Sequence, residues 1–334
     1  MITNHHLAKI GSMSSSVNHI HQKIREVYDR RKLQGEDGIE HNLRPGAVSL
    51  ERGEFLSKVV AEAGAVQTLE TGCGSGLSAL FILEATMRGG ATKPSHVIMD
   101  PDQDSFFHGV GTRLLKDTQV WDYVEFHQER SQIVMPQLIA DHRTLDAVFI
   151  DGDHRFDGAF CDAYFTHRLL KPGGILVIDD VWMDAVYLVC HFLEESYRYE
   201  NIGELRIGYS SAGADATIDE SFTYGKAKDR PSIRAYRKPL VDIAEDDSFN
   251  LPFTPAHGRI PIDVVKRRVS HLSREALVEL SKGERRNARE LLLRALHFQP
   301  TRVKTYLRLA RTYLPSRLGR ALGGKTHRSG DSHL

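Results

Sequence analysis

Val66-Gln-Thr-Leu-Glu70-Thr-Gly72-Cys-Gly74-Ser-Gly76 is the stretch whose reading decides the fold. A short apolar run leads into Glu70, glycines follow at alternate positions, and Leu77-Ser78-Ala-Leu-Phe-Ile-Leu83 then reads as a helix. Strand, glycine turn and helix together form a nucleotide-binding corner. Glycine has no Cβ, so the backbone turns sharply there and a ligand can lie against it. Free amides at the start of the next helix face such a ligand. The dinucleotide fingerprint G-x-G-x-x-G is met at Gly72 and Gly74, but Leu77 stands in its third place. The competing reading is a glycine-rich turn that holds nothing.

Working outward, the 334 residues suit one large domain or a domain with additions, and 26% charged with 41% hydrophobic residues is ordinary for a globular protein. No run of 18 apolar residues exists, so no membrane span is expected. Met1-Ile-Thr-Asn-His-His lacks a basic flank and an apolar signal core, so no secretory leader is expected. Cys73, Cys161 and Cys190 are odd in number and far apart. That argues for a reducing compartment, with the cytoplasm as the expectation, and against disulfides or a thiolate zinc site. Charge is uneven: from Val265 onward 17 Lys and Arg face 5 Asp and Glu, a net +12 balanced by −12 in the remainder. A basic tail on an acidic body implies a separate element with its own task.

Residues 1–16 are polar and read as loosely ordered. Val17–Leu33 reads as an amphipathic helix through Ile20, Ile24 and Val27, Gln34–Pro45 as a loop, and Leu50–Ala63 as a helix that Gly64 ends. After the glycine turn, Leu77–Met87 is a helix. His96–Asp100 is a second strand ending on an acid, which can accept hydrogen bonds from both ribose hydroxyls of a nucleoside or simply cap a turn. Phe106–Leu115 reads as a helix and Tyr123–His127 as a third strand. Ser131 either caps the next helix or flanks an adenine edge. His5-His6 and the pair His19 and His21 lack metal-binding spacing and read as solvated.

The most informative block is Leu145-Asp-Ala-Val-Phe-Ile-Asp151-Gly-Asp153-His154, an apolar strand delivering two acids and a histidine at its end. In an open α/β sheet that edge is where ligands bind. A helix over Gly158–Leu170, a turn at Lys171-Pro-Gly-Gly174 and a strand from Ile175 to Asp179-Asp180 follow. Asp184–Tyr197 reads as a helix and Arg230–Arg237 as a strand.

The Glu70-x-Gly-x-Gly-x-Gly76 spacing resembles the first motif of class I S-adenosylmethionine-dependent methyltransferases. Asp151-Gly-Asp-His154, Leu170-Lys-Pro-Gly-Gly174 and Asp179-Asp180 resemble the metal-dependent O-methyltransferases, the group of catechol, caffeoyl-coenzyme A and bacterial sugar enzymes. Ser131-Gln132 with Pro136-Gln-Leu138 is similar to the catechol enzymes, where that Ser-Gln flanks the adenine. The likeness covers about Leu50 to Lys238. Two departures stand out: catechol-type enzymes carry lysine at the place of His154 and asparagine at that of Asp180. The resemblance implies a Rossmann-like, doubly wound, seven-stranded and mostly parallel sheet. Its antiparallel last strand, Arg230–Arg237, would pair near Ile202–Ile207. It implies a donor site of Glu70, Gly72, Gly74, Gly76, Ser78, Asp100, Ser131, Gln132 and Asp151. The expected organisation is a helical cap (1–49), a methyltransferase domain (50–240), a linker (241–260) and a basic helical tail (261–334). In the tail Ala288, Leu292, Ala295 and Pro300 resemble half of a tetratricopeptide-like helix pair. Arg308–Arg320 either lies on an acidic membrane surface or is a solvated basic face, the latter favoured.

Methyl transfer from a sulfonium to oxygen is an in-line displacement, and a neutral hydroxyl is a poor nucleophile. A divalent cation lowers its pKa. Asp151, Asp179 and Asp180 at adjacent strand ends are hard oxygen ligands suited to magnesium, with calcium or manganese as alternatives. An ion also accounts for so many acids sharing one spot. His154 is the candidate general base and Asp153 the next. The acceptor is expected to be a small molecule or a sugar. A nicotinamide-dependent oxidoreductase is disfavoured by Leu77, and a non-catalytic donor-binding module docking through the tail is the alternative from another class. Nucleic acid is disfavoured as a partner, since no Asn/Asp-Pro-Pro-Tyr motif occurs and the body is acidic. The sequence leaves a homodimer open.

Overall fold

Apolar runs that end on acids become the central strands of one sheet. The computed structural model of the chain describes residues 4–44, 47–91, 93–206, 230–241, 262–298 and 303–312. It divides into two units, residues 1–219 with 227–258 and residues 220–226 with 259–334.

The first unit begins with α1 (Asn4–Arg30), a hairpin of β1 (Lys32–Gln34) and β2 (Glu40–Asn42), and α2 (Leu50–Glu62). Alternation follows: β3 (Gln67–Thr71), α3 (Leu77–Arg88), β4 (Ser95–Met99), α4 (Val110–Asp117), β5 (Val124–His127), α5 (Ser131–Ala140), β6 (Leu145–Ile150), α6 (Phe156–Leu169), β7 (Leu170–Ile178) and α7 (Asp184–Glu195). It ends with β8 (Glu200–Leu205) and β9 (Ile233–Arg237). The seven-stranded sheet has the order β5-β4-β3-β6-β7-β9-β8. β3 to β7 pair in parallel, and β9 runs antiparallel between β7 and β8. The order reverses beside β3, so a crevice opens at the carboxyl ends of β3 and β6.

Both faces of the sheet are covered, which is why its strands read as continuous apolar runs. Val148 and Ile150 of β6 pack with α5, α6 and α7, whereas Ala147 and Phe149 pack with Leu56, Val59 and Val60 of α2. Ile20, Ile24 and Val27 of α1 are buried against Leu77, Leu80 and Phe81 of α3.

Five local expectations are corrected. The chain is helical from Asn4, where the polar composition of residues 1–16 suggested loose order; serine costs a helix only tenths of a kcal/mol, about 0.5. The segment from Gln34 holds a hairpin rather than a loop: Asp37 Oδ1 accepts from Ile39 N at 2.9 Å and Gly38 takes φ 76°. Three-residue strands are too short to show alternation. α4 starts at Val110, not Phe106, because Gly109 (φ 66°) turns the chain just before it. Lys171–Gly174 is not a turn but the irregular start of β7, with a register shift opposite Leu145 and Ala147. Lys238 holds it there: Gly173 N donates to Lys238 O and Lys238 N to Gly174 O, at 3.1 and 2.9 Å. His21, read as solvated, keeps an open side but lies 3.2 Å from the buried Glu84 carboxylate.

In the second unit, α8 (Ile262–Ser281) and α9 (Arg285–Phe298) are joined through Gly283 and followed by α10 (Val303–Arg311). Ala288, Leu292 and Ala295 of α9 are buried against Val269, Leu272 and Ala276 of α8. Pro300, all of the expected linker 241–260 beyond residue 241, and residues 313–320 lie outside the described residues.

Gly53 marks where α2 and α3 approach most closely, since a Cβ there would lie 2.0 Å from the Phe81 ring. Gly53→Ala is expected to overpack this contact and cost about 2 kcal/mol in urea denaturation; an unchanged midpoint would show the ring is free to yield.

Candidate active site

The glycine loop needs its glycines for two different reasons. Gly72, Gly74 and Gly76 take φ of 85°, 50° and 78°, a region costly for any residue with a Cβ. A Cβ on Gly72 would also lie 2.3 Å from Asp151 O, and one on Gly76 2.9 Å from Gly111 O. Around Gly74 only the Phe107 ring comes near, at 3.8 Å, so this part of the loop is uncrowded. Gly72 N bonds Met99 O and Asp151 N bonds Thr71 O, at 2.8 and 3.0 Å. The loop is thereby tied to the ends of β4 and β6.

Asp100 is buried at the end of β4. Its Oδ2 accepts from Cys73 N, Gly74 N and Gln103 Nε2 at 3.0, 2.8 and 2.9 Å, and Oδ1 from Asp102 N at 2.8 Å. The acid expected on a ribose therefore also organises the glycine loop. Glu70 lies beneath that loop, fully buried, with His96 Nε2 at 3.6 Å. Burial raises its pKa, opposed by His96 and Ser78. Ser131 begins α5 and donates to Asp162 Oδ1 of α6 at 2.5 Å; Gln132 beside it is half-buried. Burial pushes Asp162 up to about 6.

At the other side of the loop the acids converge. β6 and β7 are paired in register at Ile150 and Ile178, so Asp151, Asp179 and Asp180 leave the sheet side by side. Asp180 adopts φ 52°, uncommon for a residue with a side chain, and accepts from Trp182 Nε1 at 2.9 Å. His154 Nε2 sits 3.2 Å from both Asp151 Oδ1 and Asp180 Oδ2. Arg52 of α2 donates through Nη1 to Asp179 Oδ2 at 2.7 Å and to Asp180 Oδ1 at 3.2 Å. Asp179 Oδ1 is buried without a hydrogen-bond partner. Burial and then the neighbouring Asp151 charge raise Asp179 to about 8. Asp151 is raised by burial, and Asp180 adds to it. Burial alone would lower His154, but the carboxylates of Asp151, Asp180 and Asp179 outweigh it and lift the imidazole to about 9.

Asp153 stands apart from this cluster. Its carboxylate is held by Arg155 through Nη2 at 2.6 Å and the backbone amide at 3.0 Å, which keeps its pKa below the usual range. It holds the turn before α6 and is a poor proton acceptor. Arg52, Asp162 and Trp182 escaped the sequence reading. Arg52 carried a signal, since it shares a helical stripe with Leu56, Val59 and Val60 where an apolar residue is expected. A second group, Asp37, His41 and His108, lies at the hairpin. Its two imidazoles stack 4.4 Å apart at 6°, so one ion cannot lie in both ring planes, and the group clasps the hairpin to the loop before α4.

Residues 69–181 match the family described as a methyltransferase domain. Caffeoyl-CoA O-methyltransferase 2 of Zea mays is 26% identical over 149 residues, 42% of this chain and 52% of that protein. The chain thus spans about half the length of the curated relative it matches. An O-methyltransferase from Bacillus cereus in complex with SAH superposes with TM-score 0.44 and 17% identity, covering 67% of this chain and 91% of that one. TomG from Streptomyces achromogenes, an O-methyltransferase of tomaymycin synthesis in complex with SAM, gives 0.45 and 18%, covering 68% and 90%. Residues 69–181 thus resemble a methyltransferase domain, set in a sheet with the doubly wound order expected from the sequence. The Zea mays relative is an O-methyltransferase. No described helix is long and apolar enough to cross a membrane.

The buried Ser131–Asp162 pair gives a pH test of this region. The folded pKa of Asp162 lies above its unfolded value of 3.8, so its contribution is complete below pH 4 and lost as pH rises through about 6. Asp162→Asn should remove that loss, gaining up to about 3 kcal/mol on the wild type between pH 4 and 7.5 in urea denaturation. A pH-independent difference would contradict it.

Proposed function

We propose that this chain transfers the methyl group of S-adenosylmethionine to a hydroxyl of a small-molecule or sugar acceptor, with a divalent cation such as magnesium assisting. One observation carries the reading: three carboxylates and a histidine converge beside the glycine loop, at the sheet edge where ligands bind. The donor would lie along Gly72–Gly76, between Asp100 and the Ser131–Gln132 end of α5. Gly74 leaves space for it, and the buried Glu70 and Ser78 flank the loop in sequence.

The residues present fit a cation. Asp151 and Asp180 place carboxylate oxygens within 4.8 Å of one another, and Asp179 offers a partnerless oxygen. Burial first, and then repulsion among the carboxylates, raise Asp151 and Asp179, and a cation would offset both. Asp151, Asp179 and Asp180 would hold it as hard oxygen donors. When bound, a divalent cation lowers the pKa of a coordinated hydroxyl.

His154 takes the acceptor proton at Nε2. Asp151 and Asp180 aim that nitrogen and keep it protonated up to about 9 while their charges are uncompensated. The oxygen's electron pair forms the new bond to the methyl carbon, and the carbon–sulfur bond breaks towards sulfur. The body is acidic and the acceptor is read as a small hydroxyl compound rather than nucleic acid. The basic tail is reserved for peripheral contacts, in the cytoplasm.

Labelled donor should methylate a pool of phenols and sugars in the presence of magnesium. EDTA or Asp179→Ala should each cut that transfer to a small residual rate. His154→Ala should slow turnover about 100-fold or more. Activity that survives both chelation and Asp179→Ala would overturn the cation's part. Transfer to no acceptor despite donor binding would overturn the enzymatic reading.

The pH profile tests the base separately. Without added cation, residual activity should rise with pH towards about 9, as His154 releases its proton. Magnesium should move that limb to lower pH. His154→Ala should lack the limb; a limb that persists unchanged in this variant would assign it to another group.

A further inference from the structure

Arg52 has no part in the proton transfer described above, yet its placement is costly. It projects from α2 into the cluster with only 7% of its surface exposed, on the stripe that carries the buried Leu56, Val59 and Val60. Removing a guanidinium from water costs several kcal/mol, about the scale of a whole core contact, unless charges meet it. Two do. Nη1 bridges Asp179 Oδ2 and Asp180 Oδ1 at 2.7 and 3.2 Å, and Nη2 points to Ala47 O at 3.5 Å.

This arrangement divides the acidic oxygens into two sets. One oxygen each of Asp179 and Asp180 faces Arg52. The other oxygen of Asp180 faces His154 beside Asp151, and that of Asp179 is partnerless. With Asp151, Asp179 and Asp180 ionised, the carboxylates carry −3; Arg52 brings the cluster to −2 once His154 has released its proton, and to −1 while His154 keeps it.

We propose that Arg52 is the fixed counter-ion of this cluster, a positioning residue that matches its charge to a divalent cation and weakens its hold on one. The proposal rests on the reading of Asp151, Asp179 and Asp180 as a cation site. A unit positive charge against the ligands' own carboxylates opposes an incoming dication by about tenfold or more in affinity, and a trication by more still. Removing the charge therefore tightens binding and shifts preference towards higher charge. A purely structural role predicts the reverse, because loosened carboxylates bind every ion less well.

The test titrates the full-length chain with Mn2+, followed by electron paramagnetic resonance, and with Tb3+, followed by luminescence. The proteins are wild type, Arg52→Met, Arg52→Gln and Arg52→Lys, each checked for a cooperative thermal transition. Arg52→Gln keeps donors for Asp179 without the charge and guards against misfolding of Arg52→Met. Either neutral variant should bind Mn2+ at least tenfold more tightly than wild type and gain more for Tb3+. Arg52→Lys should stay within about threefold of wild type. Mn2+ binding in a neutral variant but not in wild type supports the counter-ion role while overturning cation assistance in the native enzyme. Weaker or equal Mn2+ binding by folded neutral variants overturns the counter-ion role and leaves the cation site standing. No binding by any protein overturns both.

Discussion

Three carboxylates forced together at the ends of two neighbouring strands are the constraint on which the rest of the site depends. The register of β6 against β7 leaves Asp151 and Asp179 no means of separating, because each belongs to the backbone of a buried parallel ladder. Their repulsion is answered from outside the sheet. Arg52 arrives from α2 and His154 from the loop after β6, so two cations that are distant in sequence meet at one electrostatic demand. The helix that precedes the first sheet strand is thereby bound to the chemistry by charge as well as by its apolar face.

The glycine loop obeys a related rule. Gly72 must be glycine because the end of β6 passes within 2.3 Å of where its Cβ would be. Glycine loop and acid cluster therefore share a wall, and a displacement of Asp151 is felt at Gly72. Asp100 draws the other side of the loop inward through two backbone amides. The loop is held between carboxylates of β4 and β6, in a shape its own sequence does not impose.

Long, strongly patterned elements were legible in the sequence because their signals are local. The runs ending at Glu70, Asp100, Asp151 and Asp179 placed the parallel strands, and alternate glycines placed the turn. What escaped was set by pairing across the chain. Lys171–Gly174 has turn composition, yet Lys238, more than sixty residues on, draws it into β7. The hairpin β1–β2 is too short for periodicity to register. Asp153 stood next to His154 as a candidate base, but Arg155, two residues away, engages its carboxylate. Arg52 is the instructive case: its position on an apolar stripe was visible, but the partner that justifies it lies 127 residues away.

Charge also connects the cluster to the direction of the proposed reaction. A sulfonium donor is a cation, and transfer of its methyl group turns it into a neutral thioether. A pocket with an excess of buried carboxylates favours the charged donor over the neutral product, since opposite charges interact more strongly in a partly desolvated site than in water. The same excess would hold a cation and a proton on His154 too firmly if nothing restrained it. Arg52 supplies the restraint without leaving the fold, because its guanidinium stays charged at any physiological pH. On the proposed reading the site is balanced so that each mobile positive species, whether donor, metal ion or proton, meets an attraction strong enough to bind it and weak enough to release it.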